Sequence, residues 1–191
     1  MKKILFTFAA AGIVAMTTAF TPAETKFVSN TGHISFFSHT VAEDITADNF
    51  KVVSTLVPST GEVVFSVPMQ SFEFEKSLMQ KHYNSAKFLD TKQFPKSKFK
   101  GIITNLNEVE FSKDGTYNAN VEGELTIHGV TNNVSEKGKI IVNGEKVSVE
   151  TTMKLKLADY EVAFKDGKPS TNIAKTIDIT IKTEYNSEDI L

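Results

Sequence analysis

The chain has 191 residues, a formal net charge of −2, no cysteine and no arginine, so all 21 basic residues are lysine. Without cysteine there are no disulfides, no thiolate metal sites and no lipid attached through an N-terminal Cys. Without arginine or a basic stripe, nucleic acid is argued against as a partner, because base readout leans on both.

Lys2 and Lys3 open the chain, Ile4 to Met16 is an apolar run broken only by Thr7, and Ala19 and Ala23 are candidate cleavage positions. This pattern predicts a secretory signal peptide over 1–23, because the run is too short to span a bilayer as a helix. A retained N-terminal anchor is the alternative reading. Cleavage leaves one domain over 24–191, about 170 residues, enough to bury a core. No later stretch reaches the ~20 apolar residues of a membrane helix. The mature protein is therefore expected to be soluble, periplasmic or secreted, with no stable membrane insertion.

From there the hydrophobic period is two. Strands are predicted near 26–40, 43–56 and 61–69. After an interruption they resume near 97–109, 116–127, 130–142, 146–157 and 175–186. Tyr117, Ala119, Val121, Leu125 and Ile127 alternate with Asn118, Asn120, Glu122, Glu124 and Thr126. Such alternation makes a strand with one dry and one wet face. Met153, Leu155, Ile177 and Ile179 follow the same rule further on. Thr60-Gly61, Lys113-Asp114-Gly115, His128-Gly129 and Asn143-Gly144 supply turn signals between the runs.

The interruption lies between Ser71 and Phe94. There the period shifts towards 3.6, with Phe74, Leu78, Met79, His82 and Tyr83 on one stripe and Glu75, Lys76, Gln80 and Lys81 opposite. A second turn follows at Ala86 to Asp90 and carries Phe88. Phe94-Pro95 ends the segment, since a residue before proline is pushed out of the α region. Eight long strands with short connections form a sandwich or a closed up-and-down barrel. The meander favours the barrel, which has no exposed edges. The predicted fold is all-β, an eight-stranded antiparallel barrel with a short helical insertion near one end.

Candidate chemistry is sparse. There is no nucleophile motif and no phosphate-cradling glycine loop. His33, His39, His82 and His128 form no ligand pair with nearby carboxylates, and His33 and His39 stand about 20 Å apart on a regular strand. No metal, catalytic residue or cofactor is expected. Glu73 and Glu75 read as polar positions flanking Phe74. The fifteen phenylalanines are more informative, because Phe36, Phe65, Phe99 and Phe111 fall on dry faces. Taken singly each fills a core; together with methionine and branched aliphatics they can line a dry lumen for apolar cargo.

Leu78-Met79-Gln80, His82-Tyr83-Asn84, Phe88-Leu89-Asp90, Phe94-Pro95 and Phe99-Lys100-Gly101, together with the run Gly123 to Thr131, resemble the YceI-like family. That resemblance implies a lipocalin-like barrel of exported bacterial proteins, some of which carry a polyisoprenoid in the lumen with the insertion beside the mouth. Met79-Gln80 stands where many relatives place Arg-Asp, and Tyr160-Glu161 where they place an aromatic-Gly step. The usual early Trp is absent, Phe27 being the nearest aromatic. Losing the guanidinium weakens the grip on a diphosphate and favours a neutral head, a quinone or a free alcohol.

The expected function is an exported carrier or store of a long apolar isoprenoid-type lipid, quinone or polyprenyl, and not an enzyme. The expected lining is Phe36, Phe65, Phe99, Ile103, Val121, Leu125, Ile127, Met153, Ile177 and Ile179. The insertion contributes Phe74, Leu78, Met79, His82, Tyr83 and Phe88. His82 is a candidate hydrogen-bond donor to the lipid head, against a plain packing role. The rival reading is a stress-response or structural barrel whose core is filled by its own side chains. A homodimer is left open.

Overall fold

The alternation in the sequence becomes eight long strands in the computed structural model. It describes residues 25–162, 164–165, 168–169 and 173–189; the signal peptide expected over 1–23 lies outside them. The strands are β1 (Thr25–His39), β2 (Asp44–Val57), β3 (Glu62–Pro68) and β4 (Lys96–Ile103). They continue with β5 (Gly115–Ile127), β6 (Val130–Asn143), β7 (Lys146–Lys156) and β8 (Thr176–Asp189). Each pairs antiparallel with the next, and β8 returns to pair with β1. The sheet is therefore closed and leaves no edge strand among these eight.

The strand before the β5 hairpin is shorter than the expected 97–109. Its ladder stops at Ile103, because Asn105 takes over the role of the next strand residue. The Asn105 side chain donates to the Asn118 carbonyl at 3.0 Å and accepts from the Asn120 N–H at 2.7 Å, and a 3₁₀ turn follows at Leu106–Glu108. Phe111 consequently lies in the connection and not on a dry strand face, with its ring 6.1 Å from that of Phe27. The second hairpin signal is also displaced by one residue: Asn143 pairs with Lys146, so Gly144 and Glu145 form the loop.

Two features bend the sheet into a barrel. In β1 the buried parity changes from Phe27 and Ser29 to Gly32, Ile34 and Ser38, across a register shift between Ser29 and Gly32. In β2 it changes from Ala47 and Asn49 to Val52, Ser54 and Leu56. Asn49 is fully buried; its amide donates to the Pro68 carbonyl at 2.8 Å and its Oδ1 accepts from the Lys51 N–H at 2.9 Å. These bulges increase local twist. Gly101 opposes Gly123 across β4 and β5, and a Cβ on Gly123 would stand 2.4 Å from the Gly101 Cα. No larger residue permits that approach.

The end of the barrel that carries both chain termini of the described fold is packed solid. Val52, Leu56, Ile140, Val147 and Tyr185 are fully or almost fully buried there, and the Tyr185 hydroxyl bonds Ser54 Oγ at 2.6 Å. Burial raises the Tyr185 phenol well above its usual range. At the opposite end lie the insertion between β3 and β4 and the connection between β7 and β8.

The helix in the insertion is shorter than its 3.6 period suggested and covers only Ser77–Asn84, as α1. Glu73 and Phe74 precede it as extended residues paired with Asp48 and Ala47 of β2. The segment is braced by polar contacts: Thr91, fully buried, donates to Asn84 Oδ1 at 2.8 Å, and Gln70 donates to the Thr91 carbonyl at 3.1 Å. Its C-terminal end rests on the β5–β6 turn. There His128 and Gly129 have φ of 52° and 79°, and Phe94 meets the His128 ring edge-on at 4.7 Å.

Candidate functional site

The inward positions of the strands enclose a cavity of about 730 Å³. Its walls come from strand parity alone: Phe36 on β1, Phe65 on β3, Phe99 and Ile103 on β4, and Val121, Leu125 and Ile127 on β5. Met153 on β7 and Ile177 and Ile179 on β8 complete the far side. Val121, Leu125, Met153, Ile177 and Ile179 are only partly buried although they point inward. They pack against the core on one side and border open cavity on the other.

The insertion forms the mouth. Tyr83 is the centre of an aromatic cluster, with its ring 5.0 Å from Phe74, 5.6 Å from Phe72, and 6.2 Å from both Phe36 and Phe88. Phe74, Met79, His82, Tyr83 and Phe88 all border the cavity. Leu78 does not. It is 61% exposed, because α1 starts only at Ser77 and the first turn places Leu78 on the edge of the stripe, away from the Met79–Tyr83 face. His82 is exposed at the rim. A 2.8 Å ion pair between Lys76 and Glu43 ties the start of α1 to the β1–β2 turn, and the Glu43 carboxylate raises the Lys76 ammonium pKa.

The lining is apolar with a few polar exceptions that the strand pattern did not single out. Ser38 is 3% exposed, borders the cavity, and its hydroxyl has no hydrogen-bond partner among the described residues. Glu136 is an inward-facing carboxylate on β6, and burial pushes its pKa up.

Glu136 marks a seam in the wall. The β6–β7 ladder runs only from Asn143/Lys146 to Gly138/Thr151, where Thr151 Oγ1 donates to the Lys137 carbonyl at 2.7 Å. Beyond it the strands diverge, until Asn132 reaches the Asp159 carbonyl at 2.6 Å. Glu161, in the turn that closes this seam, has φ of 54°. That is the region favouring glycine, and here a glutamate occupies it.

Among the described residues no group of His, Asp and Glu is placed to hold a metal ion, and no helix is long and apolar enough to cross a membrane. The arrangement offers an apolar container with one packed end and one bordered by an aromatic insertion. It defines a lipocalin-like β-barrel.

The chain belongs to the YceI-like domain family, whose model matches residues 15–185. It is 30% identical over 133 residues to a UPF0312 protein of Pseudomonas putida, covering 66% of this chain and 63% of that relative. It is 26% identical over 128 residues to the protein YceI of Escherichia coli, covering 64% and 63%. The chain thus spans just under two thirds of the curated relatives it matches. Its fold is similar to a polyisoprenoid binding domain from Saccharophagus degradans implicated in plant cell wall breakdown. That likeness has a TM-score of 0.71 and 11% identity, and covers 87% of this chain and 99% of the other.

Proposed function

We propose that this protein binds a long apolar isoprenoid-type lipid, a quinone or polyprenyl chain, in the barrel lumen and carries or stores it outside the cytoplasm. The observation that carries this is the 730 Å³ cavity bordered by Phe, Met, Leu, Ile and Val at inward positions. Its size lies within the range of pockets that enclose most of a small ligand. The lumen positions left partly uncovered favour this over a barrel filled by its own side chains. Similarity to a polyisoprenoid binding domain supports the same ligand class.

Binding follows from desolvation. Each buried CH₂ contributes about 0.8 kcal/mol, and ordering the chain and losing translational freedom offset much of the sum. Micromolar or tighter affinity needs no hydrogen bond. The signal-peptide pattern of 1–23 supports export to the periplasm or medium.

The test is displacement of an environment-sensitive apolar dye from the lumen by a long prenyl alcohol. One dye per barrel, released stoichiometrically, is the expected result. A dye that never enters, or that no prenyl chain displaces, would refute the proposal.

A further inference from the structure

Two hydroxyls that border the cavity at its insertion end have no hydrogen-bond partner among the described residues. Ser38 is 3% exposed and its Oγ is buried without a hydrogen bond. Tyr83 is 6% exposed. No hydrogen bond of its hydroxyl is found among the described residues, and burial raises its phenol pKa. Both flank Phe36: the Tyr83 ring stacks on it at 6.2 Å, and Ser38 lies two residues further along the same inward face of β1, about 7 Å on.

An unpaired buried donor forfeits the hydrogen bond it made to water in the unfolded chain, so each such group calls for an explanation. Ser29 and Thr183 also have buried hydroxyls without partners among the described residues, but neither borders the cavity. Ser38 and Tyr83 are different, because both residues line the cavity.

Resting on the lipid-binding reading above, we infer that Ser38 and Tyr83 hold the polar end of the cargo, donating hydrogen bonds to an uncharged acceptor oxygen such as a quinone carbonyl. A carbonyl oxygen has two lone pairs and accepts from two donors at once. The head is uncharged because the rings around Tyr83 are those of Phe36, Phe72, Phe74 and Phe88. An anion drawn into that cluster would lose its water without gaining a cation. Lys76 is already paired with Glu43, and Lys87 stands exposed at the rim. His82, exposed on the same rim, is not required as a donor.

The experiment measures binding of a prenyl quinone, the matching prenyl alcohol, the prenyl diphosphate and a hydrocarbon of equal length to the parent protein, Ser38→Ala, Tyr83→Phe and the double variant. Each single substitution should weaken the quinone about fivefold to thirtyfold, the scale of one hydrogen bond, and leave the hydrocarbon unchanged. Tyr83→Phe keeps the ring, so its melting temperature should stay level or rise. The carbonyl stretching band of the bound quinone should lie at lower frequency in the parent than in the double variant. Equal weakening of quinone and hydrocarbon, no change in either, or a diphosphate preference that survives both substitutions would overturn this assignment while sparing the lipid-binding reading. Failure of the parent to bind any of the chains would overturn that reading, and this one with it.

Discussion

Replacing Leu125 with Trp should shorten the longest chain the lumen accommodates. Leu125 borders the cavity and sits opposite Phe99 across β4 and β5. At about 30 Å³ per water-sized unit, the cavity of 730 Å³ takes on the order of two dozen heavy atoms, or four to five isoprene units. Affinity should therefore climb with chain length up to that point and level off once further units remain in water. Each five-carbon unit contributes about 4 kcal/mol gross. If only a quarter survives the cost of ordering, the gain is still about fivefold per unit. An indole in place of an isobutyl group brings in ~6 more heavy atoms, so the plateau should come about one isoprene unit earlier. Isothermal titration of prenyl alcohols of increasing length would read both plateaus. Affinity independent of length, or a plateau that Leu125→Trp does not move in a folded protein, would refute the argument.

Leu125→Lys should cost several kcal/mol in urea melts because it turns an ammonium into an apolar lumen. Glu124→Lys, on the wet face opposite Lys100, should cost under ~1 kcal/mol; equal costs would contradict the in–out assignment. The Glu136 carboxyl is raised in the fold, so its ionisation costs stability as pH rises from the ordinary glutamate range through the folded value. Glu136→Gln should therefore melt higher than the parent at neutral pH and level with it below about pH 4, as paired thermal scans would show. Met79→Trp, at the mouth, should slow lipid loading and release in stopped-flow exchange while moving the melting temperature by only a few degrees; unchanged rates would make the insertion a mere plug. Mass analysis of protein from the cell envelope should find a mature N-terminus between residues 16 and 25, and an intact Met1 would refute export by cleavage.

The strands were legible because one face of each is dry and the other wet, so Val121, Leu125 and Ile127 declared their side by spacing alone. His128-Gly129 was legible as a turn because both residues need positive φ. The bulges were not. At Asn30-Thr31 and Phe50-Lys51 the buried parity flips, and a flip in a polar stretch looks like the end of a pattern. Leu78 misled because helical period says which residues share a face but not where the helix begins. The seam had a signal that periodicity hides: the inward set of β6 is Val130, Asn132, Val134, Glu136, Gly138, Ile140 and Val142, and its three non-aliphatic members fall where pairing with β7 runs out. Ser38 gives no signal in the sequence, because a lone serine near a strand end is ordinarily solvated and only the closed barrel buries it. Tyr83 read as apolar, and its unpaired hydroxyl emerges only from the packing around it.

The claim that the lumen is a lipid site is tested most directly by mass spectrometry of the protein purified from its native cell envelope, first intact under non-denaturing conditions and then as an organic extract. One apolar isoprenoid-type chain per barrel is the expected result, lost from the Leu125→Lys variant if that variant remains folded. A native mass equal to that of the bare polypeptide, with an extract free of lipid and no uptake when prenyl chains are supplied, would contradict it.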